Sequence, residues 1–115
     1  MGIGAFSNFV RRVVSSILLL NRYDLSGFRY GTGTAVTSFS VSPITPAGVA
    51  PYTYVWTRVG ATAMFASNPN DATTSFLIYF SSTGVDATDT FICTATDATA
   101  ATFISAPVSV FLEAI

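Results

Sequence analysis

The side chains able to do chemistry in this 115-residue chain are few, and their types restrict that chemistry. There is no histidine and no lysine, and Cys93 is the one cysteine. General acid–base catalysis draws most often on histidine, and covalent catalysis on Ser–His or Cys–His pairs. The common dyads and triads are therefore excluded. Carboxylates remain: Asp86 and Asp89 stand close together in D-A-T-D, with Asp71 before them and Asp97 after. Calcium needs about six oxygen ligands, more than D-A-T-D offers. These aspartates read instead as turn caps, their carboxylates accepting nearby backbone N–H groups. Gly31-Thr32-Gly33 lacks the lysine and the helix of a phosphate loop. Cys93 lies in the apolar run F-I-C-T, where burial raises a thiol's pKa and makes it inert. The chain is expected to be no enzyme, to hold no metal or cofactor and to take no small-molecule substrate.

Arginine supplies all the positive charge: Arg11, Arg12, Arg22 and Arg29 fall within residues 1–32, opposed there by Asp24 alone. The remainder has Arg58 against Asp71, Asp86, Asp89, Asp97 and Glu113. Such asymmetry suggests a positive arm and a mildly acidic body. As a nucleic-acid signal it is weak, because lysine is missing and the arginines are few. Charged residues make up 10% of the chain and hydrophobic ones 50%, against about 25% charged in ordinary domains. A tight all-β fold rich in Thr, Ser and Ala would account for this. So would a subunit that buries surface against partners, the reading favoured here.

The elements that must position these residues come in two kinds. Over residues 5–20, Phe6, Phe9, Val10, Val13, Ile17 and Leu20 recur at steps of three and four, with Arg11, Arg12, Ser15 and Ser16 opposite. That spacing predicts an amphipathic helix. The β-branched Val13, Val14 and Ile17 leave an extended arm open. The apolar run is too short to span a membrane, and no A-x-A site makes it a cleaved signal. It is expected to belong to the mature protein. Asn21 to Gly27 reads as a hinge, dividing the chain into an anchor at 1–23 and a body at 24–115.

From Phe28 onward, short strands alternate with turns. Phe28 and Tyr30 precede Gly31; Val36, Phe39 and Val41 mark a strand ending at Pro43. Tyr52, Tyr54 and Trp56 alternate with Thr53, Val55 and Thr57. Phe76, Ile78 and Phe80 share a face, residues 89–96 form a strand, and residues 102–112 close the chain with Pro107 at an edge or bulge. About seven strands at regular spacing predict an antiparallel all-β sandwich.

The segments G-V-A-P-Y-T-Y-V-W (48–56) and D-A-T-D-T-F-I-C-T-A-T-D (86–97) resemble strands C and F of immunoglobulin-like and PKD-like β-sandwich modules. In that family a strand-C tryptophan packs against a strand-F cysteine, and Trp56 and Cys93 match those positions. The resemblance implies a core containing Trp56, Cys93, Phe39 and Phe91. Two departures stand out. The strand-B cysteine is missing, so Phe39 or Val41 is expected to fill its space. Phe91 occupies the place of the corner tyrosine and has no hydroxyl to bond the backbone. Tyr54 and Trp56 are expected in the core rather than on a sugar platform, while Tyr52 at the strand's edge fits either.

Divergent modules of this kind occur in tailed-bacteriophage virion proteins and bacterial surface proteins. The resemblance, with the positive arm, implies a virion structural protein displaying one such domain: a capsid decoration, cement or head accessory protein. The alternatives are a tail or baseplate component and a cell-surface adhesion module. The expected partners are the major capsid or tail protein and sister subunits, met through Phe6, Phe9, Val10, Arg11, Arg12, Val13 and Ile17. Nucleic acid and membrane are not the expected partners, although that stripe could also lie on anionic lipid.

Overall fold

The computed structural model describes residues 17–31 and 35–115, which form nine strands and, among the described residues, no helix. In chain order these are β1 (Ile17–Leu18), β2 (Asp24–Arg29), β3 (Ala35–Thr37), β4 (Thr53–Arg58), β5 (Phe65–Ala66), β6 (Phe76–Tyr79), β7 (Val85–Thr96), β8 (Thr102–Ser105) and β9 (Val108–Ala114). The all-β expectation holds. The larger sheet is mixed rather than purely antiparallel, because β1 runs parallel to β8 and β2 parallel to β9, whereas the smaller sheet is antiparallel throughout.

The 12-residue β7 organises the larger, six-stranded sheet. Its β-branched and aromatic residues suit a pleated surface. Phe91, Cys93 and Ala95 point into the core, and Ile92, Thr94 and Thr96 point outward. One edge of β7 pairs with β4 over Phe91–Thr96, setting Trp56 directly opposite Cys93. The other edge pairs with β9 over Val85–Phe91 and then with β8 over Thr94–Thr96. Between β8 and β9 lies Ala106-Pro107, where proline has no N–H to give the ladder. The smaller sheet runs β3-β6-β5.

Side chains of the two sheets pack into one core. Phe76 of β6 stacks on Phe91 of β7, ring centroids 4.1 Å apart, and meets Trp56 of β4 edge-on at 5.7 Å. Edge-to-face and offset pairs of this kind are favoured by the ring quadrupole. The Trp56 indole N–H donates to the Asp71 carbonyl at 2.9 Å, so burying the ring leaves no polar atom unpaired.

Three expectations are corrected. The helix over residues 5–20 fails where it can be judged: Ile17–Leu18 is a strand, and Leu20 bridges Pro43. Leu18 and Leu20 point inward while Ile17 and Leu19 face solvent, the two-residue period of an extended chain. The hinge at 21–27 is absent, since β2 starts at Asp24 and Asn21 is bonded to Ser42 through both its backbone and its side chain. With Leu18 in the core, the boundary at residue 23 is crossed by core contacts. Phe39, expected inside, is 65% exposed. Ser38 takes the inward place, its hydroxyl accepting the Phe76 N–H at 3.0 Å, and Val36 and Val41 are buried in the core.

Candidate functional site

Asp89, Asp97 and Cys93 are engaged in holding the fold. Asp89, on β7, is buried beneath the β4–β5 connection. Its carboxylate accepts the N–H groups of Gly60 (2.8 Å), Thr62 (3.1 Å) and Thr90 (2.8 Å), and the Thr62 hydroxyl. Burial opposes its ionisation, but the bonds from Thr62, Thr90 and Gly60 outweigh that and lower its pKa. Arg58 Nε stands 3.9 Å away, while its guanidinium donates to the carbonyls of Gly60 and Met64. The result is a clamp on residues 60–64, with no carboxylate oxygen left over for a proton-transfer role.

Asp97 performs the same task just past the C-terminal end of β7. It accepts N–H groups from Val49, Thr99 and Ala101 and the Thr99 hydroxyl. The Val49 bond comes first among the causes that lower its pKa to about 2, ahead of the Thr99 hydroxyl. Gly48 is required beside it, since a Cβ there would collide with Asp97 Oδ2 and the Phe103 ring. Tyr52 Oη lies near the carbonyls of Pro46 (3.0 Å) and Gly48 (2.7 Å), tying the same loop to β4. Asp97 is thus a turn cap, as its sequence context suggested, and Asp89 caps a loop remote in sequence. Asp86 is exposed and faces Glu113 across the strands. Among the described residues no group of three or more His, Cys, Asp or Glu is arranged to hold a metal.

Cys93 is 0% exposed, and burial pushes its thiol up to about 12. It shares the core with Trp56 and Phe91. Of the expected partner-binding residues, Phe6, Phe9, Val10, Arg11, Arg12 and Val13 lie outside the described residues. Ile17 sits on β1, 54% exposed.

Sequence reasoning missed how apolar both outward sheet faces are. On the six-stranded sheet, Val55, Ile104 and Ile17 face solvent. On the three-stranded sheet, Phe65 and Tyr79 stack on each other with centroids 6.2 Å apart, both exposed. A third patch flanks an open cleft of about 400 Å³ between β2 and β3, rimmed by exposed Phe28 and Phe39. Arg22 lies over the Phe39 ring at 5.9 Å, a cation–π contact. The signal for these faces was present as the outward half of each alternating strand, Val55 and Ile104 among them. The alternation rule assigns that half to water by default.

No family model matches the sequence, and no curated protein matches it either. Among solved structures the chain is similar to a nucleoside hydrolase-related hypothetical protein from Saccharophagus degradans that is associated with carbohydrate metabolism. The TM-score is 0.50 at 15% identity, covering 86% of this chain and 25% of that one. The chain therefore spans about a quarter of that protein's length, and the likeness is one of fold alone.

Proposed function

We propose that the chain is a non-enzymatic structural module, an immunoglobulin-like β-sandwich that joins a large protein assembly, and that the assembly is a virion. The observation that carries this reading is the exposed apolar side chains on both outward sheet faces, Val55, Ile104 and Ile17 on one and Phe65 and Tyr79 on the other. Contiguous apolar surface of that sort marks contact sites rather than solvent-facing skin. Every buried carboxylate is meanwhile committed to a loop, and the single thiol is sealed in the core.

The sandwich reading is supported by the shared core between the two sheets and by Trp56 opposite Cys93. The virion reading rests on the resemblance of residues 48–56 and 86–97 to modules of tailed-phage particles. A capsid decoration or head accessory role ranks first, a tail or baseplate position second, an adhesion module third.

The test is association with a purified particle, for the full chain and for a chain lacking residues 1–16. That truncation retains every described strand, whereas removing residues 1–20 would also take Leu18 and Leu20 from the core. The truncated chain should fold and still join the particle through its sheet faces. Loss of joining on truncation would place the anchor on residues 1–16 instead, and failure of the full chain to join any particle would overturn the proposal.

A further inference from the structure

We infer that the acidic, aromatic end of the outer face of the six-stranded sheet is the acceptor for residues 1–16 of a second copy of this chain. Asp86 of β7, Glu113 of β9 and Phe28 of β2 stand in one row across three strands. Tyr30 meets Phe28 edge-on at 5.8 Å, and Phe111 precedes Glu113 on the same face. Phe28 and Tyr30 are 64% and 73% exposed. Asp86 and Glu113 are like charges directly opposite each other, a pairing that by itself destabilises a sheet. Among the described residues the one ion pair joins Arg58 to Asp89, so neither acid has a cationic partner there. Arg29 follows Phe28 but alternates to the other face of β2. A cleft of about 220 Å³ opens beside the two acids, between residues 84–86 and 113–115. It is smaller than a small-molecule pocket and of a size for one long side chain.

Carboxylates beside exposed rings make a surface that suits a guanidinium, which bonds in the plane of a carboxylate and stacks flat on a ring. The chain supplies that occupant. Residues 1–16 carry Arg11 and Arg12 directly after Phe9 and Val10, and they contain no acid. Apolar and cationic side chains follow each other in this segment as rings and carboxylates do on the face.

The topology makes the contact one between copies. Ile17 is level with Ile104, and Ile104 with Thr94 of β7. Asp86 lies eight residues back along β7, about 26 Å at about 3.3 Å per residue. β1 runs parallel to β8 and therefore antiparallel to β7, so the chain before Ile17 heads away from Asp86. Six residues of chain lead from Ile17 back to Arg11. A tight reversal uses about two of them, and the other four extend at most about 14 Å. Arg11 and Arg12 therefore fall short of their own Asp86 and Glu113. The arm leaves one end of the sheet and the acceptor sits at the other. Such a contact is heterologous, and it closes copies into a ring or runs on as a row. The inference rests on the reading of the chain as a module of an assembly: the arm links neighbouring copies, while the apolar faces hold each copy to the particle.

Sedimentation velocity of the full chain from about 1 μM to about 1 mM, at about 0.05 M and about 0.5 M salt, tests it. The expected result is association that grows with concentration at low salt and weakens at high salt. Arg11→Glu combined with Arg12→Glu should raise the dissociation constant at least about tenfold, and so should Asp86→Arg combined with Glu113→Arg. Mixing the two variants should restore association, because each then meets the opposite charge on the other. Asp86→Arg alone provides the acceptor reading should the pair not fold. Asp24→Arg makes the same change of charge nearer Ile17, where the chain's own arm can reach, and should leave association unchanged. A full chain that stays monomeric throughout overturns the inference, as does association that survives both charge variants or is broken by Asp24→Arg alone. Folded variants that stay apart when mixed overturn it too. Any of these leaves joining of the particle through the sheet faces untouched, whereas a full chain that joins no particle defeats the proposed function, so the two failures are distinct.

Discussion

Replacing Trp56 tests the packing on which the rest of the architecture depends. The ring is 5% exposed, meets Phe76 of the facing sheet edge-on and stands opposite Cys93. Trp56→Ala removes the side chain from both contacts and should cost about 3–5 kcal/mol, the range for core aromatics whose cavity cannot close. The cavity would border Phe76 and Phe91, two rings already stacked at 4.1 Å, which cannot both move in to fill it. Trp56→Phe keeps a ring but drops the indole N–H, leaving the Asp71 carbonyl without that donor. The hydrogen-bond part of that loss is about 1 kcal/mol. For a domain near 100 residues, about 4 °C of melting temperature goes with each kcal/mol, so Trp56→Ala should lower it by roughly 12–20 °C. Urea unfolding followed by far-UV circular dichroism is the assay, because Trp56 is the one tryptophan and its fluorescence disappears with it. A Trp56→Ala cost below about 1 kcal/mol would refute the shared core. Equal costs for the alanine and phenylalanine variants would refute packing as its source.

The two clamped aspartates make stability acid-dependent. Their pKa values are depressed in the folded state, so their contribution is fully present above the ordinary value of 3.8 and lost as pH falls through the folded one, about 2 for Asp97. Stability measured by urea unfolding should decline between those two values, and Asp97→Asn should flatten that decline; an unchanged slope would deny Asp97 its role. Cys93, with its thiol pushed up to about 12, should resist thiol reagents in the native protein and react only on unfolding. Labelling of the native chain within minutes would contradict its burial. At Gly27 a Cβ would collide with the Thr37 carbonyl, so Gly27→Ala must force β2 from β3 at a cost of about 1–3 kcal/mol. A neutral Gly27→Ala in thermal melts would show that the two strands are not held together there.

The parts of the fold that could be read in advance are those where one face is buried and the other is not. β4 is the clearest case, because Trp56 sits inward between outward Val55 and Thr57, and the core positions of β7 follow the same rule. The run Ile17-Leu18-Leu19-Leu20 could not be read that way, because four consecutive apolar residues satisfy a period of two as well as steps of three. Only the partner strand β8 decides between them. Phe39 misled for a different reason. Hydrophobicity placed it inside, but the smaller Ser38 repays its burial with a hydrogen bond to Phe76, and the phenylalanine turns out toward Arg22. The Asp89 clamp was illegible because its partners Gly60 and Thr62 lie on a distant connection that only the β4–β7 pairing brings near. The apolar outward faces escaped notice because strand patterning identifies a core and leaves the opposite face undescribed.

Quantitative mass spectrometry of purified particles, washed first in low and then in high salt, tests the proposed function most directly. An uncharged apolar contact is not weakened by screening, and excluded salts strengthen it. The account therefore predicts a fixed ratio of this chain to the main structural protein, constant between preparations and unchanged by the high-salt wash. A ratio that varies between preparations, or a chain that the salt removes, would contradict it.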